Sequence, residues 1–196
     1  GLIEKRVNKK IEVIPNFTKI NTDNFLENTE GYYLYYGRIS EEKGILELIE
    51  IFNETKLNLL IIGKGPLGEL IANRVENSLN INFLGAKYGH ELFSIVKKAK
   101  YVVQPSKWFE NCPMTIIESF SLGVPVIGSN HSGFKDLILN GETGYLLDFK
   151  NKTVTMGNKY LTPSGNIHED MKIIRDFYAK VQGKNPVNQG PIQIKQ

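Results

Sequence analysis

A doubly wound α/β layer, a parallel sheet with helices on both faces, is the fold class the sequence predicts. From Tyr32 to Leu147, short apolar runs alternate with amphipathic segments. Strands buried on both faces and separated by helices are the mark of a parallel sheet covered on each side. Glycine supplies the punctuation, at Gly37, Gly63, Gly85 and Gly128, where an apolar run gives way to a loop.

Each element can be taken in turn. Tyr32–Tyr36 is aromatic-rich, ends at Gly37 and reads as a strand. Ile45, Leu48, Ile49 and Phe52 follow at the i, i+3, i+4, i+7 spacing of a helix with one buried face. Leu57–Ile62 is a continuous apolar strand stopped by Gly63-Lys64-Gly65-Pro66, and Leu67, Leu70 and Ile71 mark the next helix. Ile81–Leu84 is a short strand, and Glu91–Lys98 a helix with Leu92, Ile95 and Val96 inward. Tyr101–Val103 is a strand, Pro113–Leu122 a helix, Pro125–Ile127 a strand, Phe134–Leu139 a short helix and Tyr145–Leu147 a last strand. Right-handed crossovers make a Rossmann-like layer the default for such an order.

The flanks read differently. Residues 1–30 hold one apolar run, Ile11–Ile14, before Pro15-Asn16, and are expected to be a lead-in strand and a connection to the core at 31–150. In 151–182 the signals weaken until Met171, Ile174, Tyr178 and Val181 line one helical face, and the polar stretch from 183 to 196 is expected to be a loosely held tail. No internal repeat is present.

Composition narrows the function classes. With 41% hydrophobic and 23% charged residues among 196, the chain is an ordinary globular one. A formal charge of +3 is too small and too dispersed for a nucleic-acid surface. Cys112 is the single cysteine, so neither an internal disulfide nor a cysteine-based zinc cluster can form. His90, His131 and His168 are isolated in sequence and offer no metal site. No apolar run approaches the roughly 18 residues of a spanning helix, and the first residues carry no signal-peptide pattern. A cytoplasmic setting is the expectation, with peripheral membrane contact left open.

Ligands of an open parallel sheet bind over the carboxyl ends of its strands, so the loops there carry the chemistry. In Gly37-Arg38-Ile39-Ser40-Glu41-Glu42-Lys43-Gly44, Gly37 permits close backbone approach, and Arg38 and Lys43 could neutralise a diphosphate. The alternative is two solvated cations at a helix start, where the dipole slightly disfavours them. Gly63-Lys64-Gly65-Pro66 lacks the spacing and trailing Lys-Ser/Thr of a P-loop. It is either a plain turn or one wall of a nucleobase pocket.

The loop from Pro105 to Glu118 matters most. Pro113 suits the first helical position, which would turn the free N–H groups of Met114 and Thr115 toward the strand ends as an anion site. Glu110 lies before that helix and Glu118 inside it. An acid within an otherwise apolar helix needs a partner, either ribose hydroxyls or a structural salt bridge. Ser129-Asn130-His131-Ser132-Gly133 ends at another helix start and could add backbone donors to phosphate. His131 alone reads as a polar loop residue rather than a catalytic base.

Taken together, these segments resemble the C-terminal domain of the GT-B-fold, family 4 retaining glycosyltransferases, the glycosyl transferases group 1. The resemblance runs from about Ile11 to Leu147. It rests on Val13-Ile14-Pro15-Asn16, Gly37-Arg38 with Lys43-Gly44, Gly63-x-Gly65-Pro66, Pro105-Ser106 ahead of the Glu110-x7-Glu118 pair, Gly123-x-Pro125-Val126-Ile127 and Gly141-x-x-Gly144-Tyr145-Leu146. No piece decides alone; their order together is highly specific. Asn111-Cys112-Pro113, Ser119, Ser132-Gly133 and Asp136 depart from the common pattern, which bears on sugar preference more than on fold.

The resemblance implies a nucleotide-diphosphate sugar as substrate, with no cofactor and no metal. Arg38 and Lys43 would stabilise the diphosphate leaving group in place of a divalent ion. Glu110 would contact donor-sugar hydroxyls near the reacting carbon, and Glu118 the ribose. Gly37, Gly63, Asn111, Pro113, Met114, Thr115, Ser132 and Gly133 would complete the donor site. Such enzymes pair two Rossmann-like domains across a cleft. The acceptor, a glycan or lipid, would be held by an N-terminal domain absent from this chain, which is expected to be inactive alone. Rival readings are a related sugar-nucleotide epimerase and a non-catalytic nucleotide-binding or interaction domain that keeps the fold. A dehydrogenase is disfavoured, since no Gly-x-Gly-x-x-Gly follows the first core strand.

Overall fold

The computed structural model describes residues 16–18, 20, 30–131, 133–139, 143–148 and 153–155. Seven strands, β1 (Tyr33–Arg38), β2 (Leu59–Lys64), β3 (Ile81–Phe83), β4 (Tyr101–Gln104), β5 (Val126–Ser129), β6 (Gly144–Asp148) and β7 (Thr153–Thr155), form one sheet in the order β3-β2-β1-β4-β5-β6-β7. The pairings from β3 to β6 are all parallel; β7 runs antiparallel to β6. The first six strands thus have the order of a dinucleotide-binding layer, in which the strand order reverses between β1 and β4.

Period-two alternation divides β1 between two cores. Tyr33 and Tyr35 enter one with Leu59, Ile61, Tyr101 and Val103, and there α1 (Ile45–Thr55) contributes Ile45, Leu48, Ile49 and Phe52 while α2 (Gly68–Val75) contributes Ile71 and Val75. Leu34 and Tyr36 enter the other with Val102 and Val126. Here α3 (Gly89–Lys98) contributes Val96, α4 (Met114–Ser121) Ile116, and α5 (Gly133–Leu137) Phe134. Helices therefore cover both faces, as expected.

Some details differ from the sequence reading. Leu70 is half exposed, because α2 packs through Ile71 and Val75 instead. Pro113 precedes its helix with an extended ψ of 116°, so Met114 is the first helical residue. Its fixed φ suits either place, but a cap residue keeps extended geometry while its carbonyl already accepts, here from the Ile116 N–H at 3.1 Å. Strand β7 was not anticipated and carries the sheet past residue 150. Three residues are too few to show alternation, and only pairing with β6 makes them a strand. The apolar run Ile11–Ile14 and the helix expected over His168–Val181 lie outside the described residues. Among the described residues no helix is long and apolar enough to cross a membrane.

Candidate functional site

The switch in strand order between β1 and β4 leaves a crevice at the carboxyl edge. The two strands are in register only at Tyr33–Tyr101 and Leu34–Val102. Beyond that point the Gln104 side chain closes the gap, its Nε2 donating to the Tyr36 carbonyl at 2.9 Å. A buried carbonyl left by the diverging ladder is thereby satisfied.

Gly37 and Arg38 end β1 on one side of the crevice. Gly37 lies in register with Gly63 of β2, and a Cβ on Gly63 would stand 1.9 Å from the Gly37 carbonyl oxygen. With φ of +153° as well, Gly63 admits no side chain. The backbones can then run close beneath a cavity of about 610 Å³ lined by Tyr36, Gly37, Arg38, Gly63, Lys64 and Gly65, with Ala86, Lys87 and Tyr88 opposite. Lys64 Nζ stands 5.8 Å from the centre of the Tyr88 ring, and the Arg38 side chain is exposed.

Lys43 ends a single 3-10 turn, Glu41–Lys43, closed by Gly44 in the left-handed region. Its ammonium does not point into solvent. Lys43 Nζ donates to Glu110 Oε1, which also accepts from Ser106 Oγ at 3.0 Å. The cation placed awkwardly by sequence thus meets the first glutamate directly, and both side chains are only partly exposed. Glu42, beside them, has its carboxyl held below the usual range, chiefly by the hydrogen bond from Ser40 Oγ.

Ser106 organises the loop after β4. It is buried, and its carbonyl accepts from Ser129 Oγ at 2.6 Å and from His131 Nε2 at 2.9 Å. A carbonyl only accepts, so the His131 proton sits on Nε2. The imidazole is packed between the Phe109 and Phe134 rings, at 5.2 and 5.7 Å. The Gly133 N–H donates to the Glu110 carbonyl at 2.7 Å, and a Cβ on Gly133 would lie 2.1 Å from the Asn111 carbonyl oxygen. Glycine at 133 therefore lets the start of α5 close on the Glu110–Asn111 loop. Ser132 lies outside the described residues.

Asn111 and Met114 are exposed, and Pro113 and Thr115 half-buried, at the mouth of α4. Glu118 is half-buried further along that helix, and burial raises its carboxyl above the ordinary range, the nearby Tyr36 hydroxyl opposing this only in part. Tyr36 Oη donates to the Thr115 carbonyl at 2.7 Å and lies 3.1 Å from Ser119 Oγ. Burial pushes the Tyr36 phenol well above its usual range. Among the described residues, no three His, Cys, Asp or Glu side chains gather as a metal cluster.

The structure thus joins Lys43 to Glu110, Glu110 and Asn111 to Gly133, and Gly37 and Arg38 to Gly63. Sequence reasoning passed over the polar residues that hold them: Tyr36, Gln104, Ser106, Ser129 and the fixed ring of His131. The signal available was Gln104 ending an apolar run and Ser106 just beyond it, polar residues that need buried partners.

Residues 16–156 match the family described as glycosyl transferases group 1. The chain belongs to this family. Among group 1 relatives, it is 31% identical over 159 residues to a Staphylococcus aureus capsular polysaccharide biosynthesis glycosyltransferase, covering 73% of this chain and 38% of that protein. To an uncharacterized glycosyltransferase of Methanocaldococcus jannaschii it is 29% identical over 127 residues, covering 64% and 36%. The chain spans about half or less of the length of such relatives. Of solved structures, the pneumococcal O-GlcNAc transferase GtfA with UDP and GlcNAc superposes with a TM-score of 0.58 at 19% identity, covering 92% of this chain and 35% of that one. Anabaena HepE with UDP gives 0.52 at 19% identity, covering 80% and 43%. These likenesses identify the sheet as the Rossmann-like half of a GT-B glycosyltransferase fold.

Proposed function

We propose that the crevice is the donor site of a retaining glycosyltransferase, binding a nucleotide-diphosphate sugar. The observation that carries this reading is the Lys43–Glu110 contact between the loops that follow β1 and β4, with Arg38 lining the cavity at the end of β1. Two cations and one carboxylate there suit a diphosphate joined to a hydroxyl-rich ring. Arg38 and Lys43 would take the charge that develops on the departing diphosphate, so the reaction would need no metal. Glu110 would accept hydrogen bonds from the sugar, and the N–H groups of Met114 and Thr115 would face phosphate oxygens. The cavity bounded by Gly63-Lys64-Gly65 and Tyr88 would take the base, and Glu118 the ribose. Retention would follow from attack on the face the diphosphate leaves, with Lys43 protonating or pairing with its oxygen.

The Lys43–Glu110 pair supports a donor site in waiting. Each charge compensates the other while the site is open, and an arriving diphosphate offers Lys43 a second anion as the sugar engages Glu110. The nucleotides named for similar proteins differ: GDP for a Corynebacterium glutamicum GDP-mannose-dependent alpha-mannosyltransferase that is 32% identical over 114 residues, and UDP in the Anabaena HepE structure. The substrate class is accordingly nucleoside diphosphate sugars. Glycan or lipid would be the acceptor, held by an N-terminal domain of the kind such enzymes pair with this one, so the 196-residue chain is expected to bind donor without transferring sugar.

Calorimetry with UDP-, GDP- and ADP-sugars tests the site. One donor should bind best, and Arg38→Ala should weaken it about 10-fold to 100-fold, the worth of a charge-assisted hydrogen bond. Glu118→Ala should also weaken it. Equal, weak binding of every donor to the parent chain and both variants would overturn the reading.

A further inference from the structure

Ser106 sits where the loops after β1 and β4 are fastened to each other. On one side of it, a Cβ on Gly44 would stand 2.3 Å from the Pro105 carbonyl oxygen, so glycine there admits the Pro105 backbone. On the other side, the Lys107 N–H donates to the Glu42 carbonyl at 2.8 Å. The Ser106 carbonyl is itself held by Ser129 Oγ and His131 Nε2. A buried residue fixed in this way carries its hydroxyl on a single-carbon stem and has little freedom left. That hydroxyl has one hydrogen and two acceptors within reach, Glu110 Oε1 at 3.0 Å and the Trp108 carbonyl at 3.3 Å. The carboxylate is both nearer and charged, so it takes the hydrogen.

Lys43 reaches the same oxygen from the other loop, but its hold is of another kind. It is an ammonium on a flexible four-carbon stem, partly exposed and able to turn toward a second anion. We infer that Ser106 is the positioning residue for Glu110: it keeps the carboxylate in place for the donor sugar when Lys43 turns to the diphosphate. This rests on the donor-site reading, in which Glu110 meets the sugar and Lys43 the leaving group. A carboxylate already held by the folded chain loses less freedom when a sugar hydroxyl binds it. Ser106 therefore acts on the sugar end of the donor and not on the diphosphate end.

The test measures, by calorimetry on the whole chain, the affinity ratio between a nucleotide sugar and the same diphosphate without its sugar. The pairs are UDP-glucose and UDP, GDP-mannose and GDP, and ADP-glucose and ADP, and the pair that binds best is used. Ser106→Ala should lower the ratio about fivefold with affinity for the bare diphosphate unchanged. Glu110→Ala should lower the same ratio, and adding Ser106→Ala to it should lower the ratio no further, as expected of a residue that acts through Glu110. A merely structural role would weaken both ligands together and leave the ratio unmoved, which overturns the inference. So does a further fall in the double variant. If Glu110→Ala moves the ratio and Ser106→Ala does not, the inference fails while the donor site stands. If no nucleotide binds, or all bind the parent chain and Arg38→Ala alike, the donor-site reading fails and the inference with it. Should Ser106→Ala not fold, Lys43→Ala decides. With Ser106 holding Glu110, both ligands should weaken and the ratio should stay at the parent value; a ratio as low as that of Glu110→Ala would show that Lys43 holds the carboxylate instead.

Discussion

Glu118 shows how a single side chain can be costly to the fold and useful to the site. Its carboxyl is raised by burial, the nearby Tyr36 hydroxyl offsetting only part of the effect. A raised carboxyl holds its proton more tightly folded than unfolded, so its contribution to stability is fully present below the unfolded value and is lost as pH rises through the folded one. At neutral pH, therefore, Glu118→Gln should raise the melting temperature, and the difference from the parent chain should vanish toward about pH 4. Melting curves at stepped pH check this. A parent chain more stable than the variant at pH 7 would contradict it. Lys43 illustrates the opposite arrangement. Its ammonium meets the Glu110 carboxylate in a partly exposed place, so the pair is worth little to stability and its significance lies in where it holds two charges.

At the scale of elements, close backbone approach decides where the functional loops can sit. The loop after β4 is held by Ser106, whose carbonyl gathers Ser129 and His131 and whose hydroxyl steadies Glu110. Gly133 brings the start of α5 against the same loop. In Gly133→Ala the added carbon would meet backbone rather than a yielding side chain, so loop or helix must shift at a cost of about 1–3 kcal/mol. The expected outcome is a lower melting temperature together with weaker donor binding, read by thermal melts and calorimetry on the same samples. A stability loss with donor affinity unchanged would show that α5 does not position the Glu110 loop.

Across the whole molecule, the site depends on a sheet whose central strand is buried from both sides. Leu34 of β1 is fully buried among α3, α4 and the neighbouring strands. Leu34→Ala should cost about 2–5 kcal/mol, seen as a lower urea midpoint, while donor affinity at 25 °C stays near that of the parent as long as the variant is folded. The core and the carboxyl edge are separable in this sense: packing sets how firmly the sheet holds, and loop contacts set what it binds. A fall in affinity as large as that from Arg38→Ala would show that the edge is not preformed by the sheet.

Apolar runs, glycine punctuation and helical spacing were enough to determine the parallel α/β layer, six of its strands and the loops that face the ligand edge, because burial periodicity is a local property of the chain. They also singled out Arg38 and Lys43 as charges after a strand end and Glu118 as an acid inside an apolar helix, while the role of Glu110 came from the family resemblance. Local pattern did not disclose that Lys43 and Glu110 meet, that Ser106, Ser129 and His131 lock one loop, or that Tyr36 connects β1 to Thr115 and Ser119 of α4. Each of those pairs joins residues far apart in the chain, and a tyrosine inside an aromatic strand looks like any other core residue. Strand β7 was hidden for the same reason, since three residues become a strand only when β6 offers an edge to pair with. Hydrogen-bond partners and close backbone approaches are relations across the fold, so only the tertiary structure could decide them.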